Sequence, residues 1–441
     1  MPIPSESFLA ELERTYRAAP TTEHAAALAE ALARLTVEQE PPSAVAATVQ
    51  RLRTLHAEHP SREVAGMLAI GLHSLTAVQR SVAEITDTVA EIQTLHTLHP
   101  SDTITIALAR ALFNLTAVQA TAAERAATVA QLRSLHTAQP NSETALALGR
   151  ALFNLAVRQH SRAQAEETVG QLESLYRAYP TPALAVCLAQ ALFHLFRQQD
   201  SRAATVEISA RLRALYQAHP TPNVGQALAR CLATLALNPR ATSDRADLIN
   251  QLQALQATHP TPDITNSFAT ALFNLTGLAN SAPEAAQAVA RLAGLYQAQP
   301  TTELATPLAK ALNNLAIRYA TATERAFAVA RIADLLAVHP QTDIANLLAI
   351  GLFNLSLKQN APAELAQTVQ RLREHYGTYH TDTVATALAR TLLHQQRSDR
   401  NQPTDPRLLT ELQALREAHP LAPQIDEVLA ELRRDPPLNP N

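Results

Sequence analysis

The sequence predicts an all-α fold: a right-handed α-solenoid of about ten tandem 40-residue helix–turn–helix repeats. Three observations carry that expectation. Pro20, Pro60, Pro100, Pro140, Pro180, Pro220, Pro260, Pro300, Pro340 and Pro420 stand forty residues apart, with only His380 interrupting the series. A fixed period of this length marks a stacked-repeat architecture. Two apolar columns keep the same register. Leu32, Leu72, Leu112, Leu152, Leu192, Leu232, Leu272, Leu312, Leu352 and Leu392 form one, and Leu52, Ile92, Leu132, Leu172, Leu212, Leu252, Leu292, Ile332, Leu372 and Leu412 the other. The third observation is composition. The chain of 441 residues is 47% hydrophobic but only 4% aromatic, with no Trp and nine Gly. Its apolar content is therefore mostly Ala and Leu, strong helix formers.

Residues 1–20 read as an N-terminal capping helix, placed at 5–19. Residues 21–400 are the tandem hairpins. Residues 401–434 supply a last half-repeat and a capping helix at 424–434, and DPPLNPN at 435–441 reads as a frayed tail. Within one repeat, 121–160, Val129, Leu132 and Leu135 mark the first helix and Leu148, Leu152 and Leu155 the second. Spacings of three and four give one helical face. Each proline ends a first helix, where it cannot continue the hydrogen-bond ladder. Ser61, Ser101, Asn141, Thr181, Thr221, Thr261, Thr301 and Thr381 are the expected N-caps of the second helices. Pro182, Pro222 and Pro262 sit at the first helical position, where a missing N–H costs nothing. Glu63, Glu143, Asp263 and Glu303 fall in the first turn, at the positive end of the helix dipole. Ser81, Thr121, Ser161, Ser201 and Thr321 open first helices in the same way. A small column at Ala31, Gly71, Ala111, Ala151, Ala191, Cys231, Ala271, Ala311 and Gly351 allows close helix approach.

The net charge of −3 gives no global attraction to nucleic acid or anionic lipid. Cys187 and Cys231 lie in apolar helical stretches and read as core residues, not a disulfide. The N-terminus lacks a basic region followed by an apolar core, and no run is long enough to span a membrane. A soluble cytoplasmic protein is the expectation. No phosphate-binding loop, dinucleotide fingerprint, nucleophile elbow, HExxH or CxxC occurs. No catalytic residue, metal or cofactor is expected.

Residues 311–340 resemble a tetratricopeptide repeat. Leu312, Leu315, Ala316 and Tyr319 fall where that motif has its first-helix signature, and Ala328, Ile332 and Pro340 match its second helix and closing proline. Leu335 is bulkier than the usual Ala, and the period is 40 rather than 34. The six extra residues, placed after the proline, would lengthen the Asn-bearing helix. The armadillo repeat is the rival resemblance, since ALFNLA at 151–156 looks like its final helix with Asn154 in the peptide-gripping place. Both imply a concave surface that holds a protein or peptide partner.

On the second helix, away from its Leu stripe, Arg110/Asn114, Arg150/Asn154, Lys310/Asn314 and Arg390/His394 stand four apart and share a face. Asn274, Asn354, His194 and Arg230 extend this ladder. Counting from Leu148, Arg150 and Asn154 fall at roughly 200° and 240° around the helix. The resemblance implies that such residues grip a partner's backbone or carboxylate in the groove. Asn offers both a donor and an acceptor to an extended peptide, and Arg supplies charge-assisted bonds. The alternative is that Asn bridges neighbouring helices and Arg covers surface. Phe113, Phe153, Phe193, Phe273 and Phe353 pack between repeats or wall the groove. His56/His59 and His96/His99 form HxxH pairs, and His219, His259, His339 and His419 precede proline. Two His at helical spacing can bind metal, but without a third ligand the helix-terminus reading fits better. The function expected is non-catalytic binding of an extended or acidic peptide segment. A helical-repeat RNA or single-stranded nucleic-acid binder is the second reading, opposed by the lack of a continuous basic stripe.

Overall fold

The computed structural model describes residues 6–39, 41–237, 242–279, 281–319, 321–398 and 406–434. The tail at 435–441 lies outside them. All regular structure among the described residues is helical. The chain divides into two compact units, Met1–Leu228 and Ala229–Asn441.

In the first unit α1 (Glu6–Ala18) pairs with α2 (Thr22–Glu38), α3 (Pro42–Glu58) with α4 (Arg62–Val78), and α5 (Val82–Leu98) with α6 (Asp102–Val118). Then α7 (Ala122–Ala138) pairs with α8 (Ser142–Ala156), α9 (Arg162–Ala178) with α10 (Pro182–Arg197), and α11 (Arg202–Ala218) follows. The division falls within α12 (Pro222–Ala236). In the second unit α13 (Thr242–Thr258) pairs with α14 (Pro262–Leu278), α15 (Ala282–Ala298) with α16 (Thr302–Arg318), and α17 (Ala322–Val338) with α18 (Thr342–Ser356). Last come α19 (Pro362–Thr378) with α20 (Asp382–Ser398) and α21 (Pro406–Ala418) with α22 (Pro423–Arg434). The two helices expected as caps, α1 and α22, are each half of a hairpin. Even-numbered helices carry the Asn ladder. They run no longer than the odd ones, α8 having 15 residues and α7 17, so extra length is not concentrated there.

The proline has a specific task. Ser61 N–H donates to the His59 carbonyl at 2.8 Å across Pro60, and the same i to i+2 bond recurs over Pro20, Pro180, Pro220, Pro260, Pro300 and Pro340. This is the pattern of an inverse γ-turn, whose central residue needs the φ near −75° that proline enforces. His380 adopts the same turn, with Thr381 N–H on the Tyr379 carbonyl at 3.0 Å.

Capping follows in part. Ser61, Ser101, Asn141, Thr181, Thr221, Thr261 and Thr381 accept a backbone N–H in the first turn. Thr301 is the exception: its backbone is extended but its hydroxyl accepts no cap bond. On the odd helices Thr121 and Thr321 form full capping boxes with Glu124 and Glu324, whereas Ser81, Ser161 and Ser201 make no side-chain cap. The backbone bonds that hold Glu124 keep its carboxyl below the usual range.

Both Leu columns are buried, Leu52, Leu72, Leu132 and Leu152 among the most completely. The small column lies between the two helices of a hairpin. A Cβ on Gly71 would meet Leu52 Cδ1 at 2.7 Å. Even helices also pack on one another directly: α2 on α4, α4 on α6 and α6 on α8, and in the second unit α14 on α16, α16 on α18 and α18 on α20. Among the described residues, successive odd helices show no such backbone approach; long side chains such as Arg53 and Glu91 join them instead. Close spacing on one side and wide spacing on the other places the even helices on the inner side of each unit's stack.

A second recurring pair stitches each even helix to the odd helix after it. Gln39–Thr48, Gln79–Thr88, Gln119–Thr128, Gln159–Thr168 and Gln359–Thr368 are hydrogen-bonded, with Gln119 Nε2 to Thr128 Oγ1 at 2.9 Å. Where one partner is lost the other usually goes too: Ala279 faces the register of Ala288, and Tyr319 that of Ala328. Gln199 opposite Ile208 keeps its amide and has an unpaired buried Oε1. Thr128→Val alone should cost about 1–3 kcal/mol, because Gln119 is left buried and unsatisfied. The double change Gln119→Ala/Thr128→Ala should cost less than the two single changes summed. A double-mutant cycle by urea denaturation checks this, and simple additivity would contradict it.

Candidate functional site

The ladder residues lie on the even helices, at the surface of the inner layer. In the first unit Arg110 and Arg150 are exposed, and Asn114, Asn154 and His194 are half-buried. In the second unit Arg230 and Arg390 are exposed, and Asn274, Lys310, Asn314, Asn354 and His394 are half-buried.

Asn114 Nδ2 donates to Thr76 Oγ1 at 2.9 Å, Asn154 Nδ2 to Thr116 Oγ1 at 2.9 Å, and Asn314 Nδ2 to Thr276 Oγ1 at 3.0 Å. Each bond joins one even helix to the even helix before it, 38 residues back. Thr76, Thr116 and Thr276 pass the bond on to carbonyls in their own helices, at His73, Phe113 and Phe273. The bridging reading of Asn therefore describes these three residues. The bond uses one amide N–H and fixes the side-chain plane, leaving the carbonyl oxygen and the second N–H. Asn274 and Asn354 have Ala236 and Ala316 at the matching position and no hydroxyl to reach.

The arginines are partly committed too. Arg110 pairs with Glu143 at 2.6 Å, Arg230 with Asp263 at 3.0 Å, and Arg390 with Glu427 at 4.0 Å. Each acid belongs to the next even helix; Glu143 and Asp263 lie in its first turn. Arg150 has Ala183 at that place, and its guanidinium instead lies 5.6 Å from the centroid of the Phe113 ring. The Phe residues are half-buried, and Phe113 is covered by an arginine of the following repeat, as packing between repeats requires. His194 Nε2 lies 3.0 Å from Gln198 Nε2; burial and the nearby Arg197 charge hold its pKa down. His394 Nε2 is buried without a hydrogen-bond partner.

A groove of 460 Å³ opens across α2, α4 and α6 on this face. Thr36, Ile70, His73, Thr103 and Arg110 line it. Burial, with Arg110 nearby, lowers the His73 pKa to about 4, so its imidazole is neutral at pH 7.

Two features escaped the sequence reading. Arg125 and Arg325 are buried at 4% and 7% exposure. Arg125 donates from Nε and Nη2 to the Gln119 carbonyl at 3.0 and 2.6 Å, and from Nη1 to the Asn154 carbonyl at 2.7 Å. Arg325 repeats this on the Tyr319 and Asn354 carbonyls. The signal was an Arg, repeated at Arg245, which is also buried, in a column otherwise held by Val45, Ile85, Ala165, Thr205, Ala285 and Leu365. The other feature is a ring ladder. Tyr16 packs edge-on to His59, His56 to His99, His136 to Tyr179 and Tyr176 to His219, with centroids 5.4–5.7 Å apart. Tyr296–His339 and Tyr376–His419 continue it in the second unit. Three HxxH histidines, His56, His59 and His99, thus face neighbouring repeats, whereas His96 Nε2 lies 3.0 Å from Thr105 Oγ1 within its own repeat. The ring partners lie 43 residues away, so neither helix displays them alone.

Among the described residues no group of three or more His, Cys, Asp or Glu is placed to hold a metal ion. No described helix is long and apolar enough to cross a membrane. Cys187 and Cys231 are free and buried; burial pushes the Cys187 thiol up to about 11 and raises Cys231 as well.

No family model matches the chain, and no curated protein matches it by sequence. Solved structures do align. A chain from a structure of the interaction between cadherin and beta-catenin is 12% identical, with 97% of this chain and 92% of that one covered and a TM-score of 0.48. Yeast Tom70 is 12% identical over 97% of this chain and 84% of its own, with a TM-score of 0.32. A chain of Naa15/Naa10 bound to HypK-THB is 13% identical over 97% of this chain and 63% of its own, also at 0.32. Alignments of this depth carry no argument about function, and the architecture rests on the helices themselves. The chain is an all-α helical-repeat protein whose 40-residue unit is a two-helix hairpin, the form the tetratricopeptide resemblance implies.

Proposed function

We propose that the chain is a non-catalytic interaction scaffold that holds an extended or acidic segment of a partner protein along its even-helix face. The observation that supports this best is the open groove across α2, α4 and α6, which Arg110 helps to line; Asn114, Arg150 and Asn154 lie outside that lining, further along the even helices. The Thr bonds orient Asn114 and Asn154 in advance, which lowers the entropy lost when a backbone binds. Arg150, with no carboxylate opposite, is the residue best placed to take an acidic side chain. The carboxylates beside Arg110, Arg230 and Arg390 oppose a nucleic-acid reading, because they interrupt the positive stripe that phosphates need.

The test is affinity capture with the full chain and with Asn114→Ser/Arg150→Gln/Asn154→Ser. Ser occurs naturally in this column at Ser74, so the helices should survive, as circular dichroism would check. Captured partners should bind the variant at least about tenfold more weakly, a difference of about 1.4 kcal/mol. Equal binding by both proteins would remove the groove assignment. A gel shift with single-stranded RNA at low salt should show no salt-sensitive complex.

A further inference from the structure

The odd-helix face of the second unit carries a gap in a recurring polar side-chain ladder. Across this face the thirteenth residue of one repeat meets the eleventh of the next, 38 residues on. Glu13 pairs with Arg51, Arg53 with Glu91 at 2.7 Å, Glu173 with Arg211 at 2.6 Å, and Arg373 with Glu411 at 2.7 Å. Arg133 donates to Gln171 at 2.6 Å in the same register. Polar residues hold the same register at Gln93/Gln131, Arg213/Gln251 and Gln253/Arg291; at 293 and 333 the polar series lapses, because both positions are Ala. Arg331 and Arg371 keep the cation but have lost its partner.

The lapse opens the surface. A groove of 580 Å³ lies between α15 and α17 and is floored by Leu308, Leu312 and Leu315 of α16. Its α15 wall is small, Ala286, Ala290 and Ala293. Its α17 wall is apolar and exposed: Phe327 is 63% and Val338 64% accessible. Phe327 stands where other repeats have Ala47, Asp87, Glu167, Asp247 or Gln367. Arg331 and Asp334 stand on the rim one turn apart. Tyr296, tied to His339 Nε2 at 2.9 Å, is also part of the lining. A large, mostly exposed apolar side chain beside an arginine without its carboxylate is a surface arranged for a partner.

We infer that this groove docks a short amphipathic helix of another protein, with apolar anchors against Phe327 and the Ala wall and an acidic side chain on Arg331. The acid supplies the carboxylate that Glu13 and Glu173 supply to their arginines elsewhere in the ladder. Asp334 favours a basic residue one turn away on the same helix. The α15 wall from Ala286 to Ala293 spans two helical turns, which suits the helix-in-groove mode. This surface is on the opposite helices from the Asn ladder and does not depend on it.

The test selects a phage library of helical 16-residue peptides, randomised on one face, against the full chain. Enriched sequences should join an apolar cluster to an Asp or Glu. A fluorescein-labelled synthetic copy of the leading sequence should bind in an anisotropy titration. Ala293→Glu should weaken it at least about tenfold by filling the wall and pairing with Arg331. That variant places an exposed-face Glu in a helix, and its thermal midpoint should not fall. Arg331→Glu should reverse the preference, so that a peptide with Lys in place of its acid binds better than the original. Asn114→Ser/Arg150→Gln/Asn154→Ser should bind the peptide unchanged. No enrichment, enriched peptides without acids, or binding indifferent to Ala293→Glu would overturn the proposal. So would concentration-dependent self-association in sedimentation that Ala293→Glu abolishes, since the occupant would then be a second copy of this chain.

Discussion

Arg125→Ala should destabilise the first unit by about 3 kcal/mol, through carbonyls left without donors rather than through lost charge pairing. Arg125 is 4% exposed, and its hydrogen bonds go to backbone carbonyls, with the Glu124 charge a minor influence. Its partners are the carbonyls of Gln119, after α6, and of Asn154, in the last turn of α8. Those carbonyls form the negative ends of two stacked helix dipoles, which offset part of the cost of burying a cation. The offset is incomplete, since burial, with repulsion from Arg158, lowers the pKa of Arg125. Truncation leaves a cavity and two buried acceptors unpaired. Arg125→Ile, copying Ile85, should lose less because the volume is refilled, but the acceptors stay unpaired. Arg125→Lys should also fall short, since one ammonium on a flexible stem cannot reproduce the planar fork. Amide hydrogen exchange would show lost protection centred on α6 and α8, alongside a lower urea midpoint. An unchanged midpoint for Arg125→Ala would refute this account.

The protein should lose stability on mild acidification, and His73 should be the largest single source. Its folded pKa of about 4 lies below the ordinary value of 6.5, with burial the main cause and Arg110 the second. The folded state therefore binds fewer protons than the unfolded chain over this interval. By linkage, stability is full above pH 6.5 and declines as pH falls toward 4. A shift of this size corresponds to about 3 kcal/mol in total, of which about 2 kcal/mol would be lost by pH 5. Burial pushes His56, His136, His194 and His375 down as well, so their contributions have the same sign. The measurement is the urea midpoint at pH 7.5, 6.5, 5.5 and 5.0 for the wild type and His73→Gln. The difference between the two should narrow as pH falls, and parallel curves would contradict the assignment to His73.

Much of the fold was legible because it repeats. The Leu columns, the proline turn and most N-caps recur at positions where the physics is local: a hydrogen bond three residues away, a φ angle, a helical face. Where the outcome departed, the cause was also local. Thr301, Ser81, Ser161 and Ser201 have the right residue type and backbone but a hydroxyl that makes no cap bond. The candidate site was less legible. The sequence placed Arg and Asn on one face, but Asn114 is bonded to Thr76 and Arg110 to Glu143, partners 38 and 33 residues away. The Gln119–Thr128 pair, by contrast, leaves a mark in the sequence, because both members are lost together at 279/288 and 319/328, though not at Gln199/Ile208.

The sequence by itself determined the period, the helix pairing and the faces, since each depends on contacts within one hairpin that ten copies state repeatedly. Only the tertiary structure decided which polar side chains remain available. That depends on which residues of adjacent repeats come within three ångströms of one another. A single Ala at 293 or Arg at 125 changes the answer there without disturbing the forty-residue beat, because a side chain reaching across repeats leaves no mark on the period of its own helix.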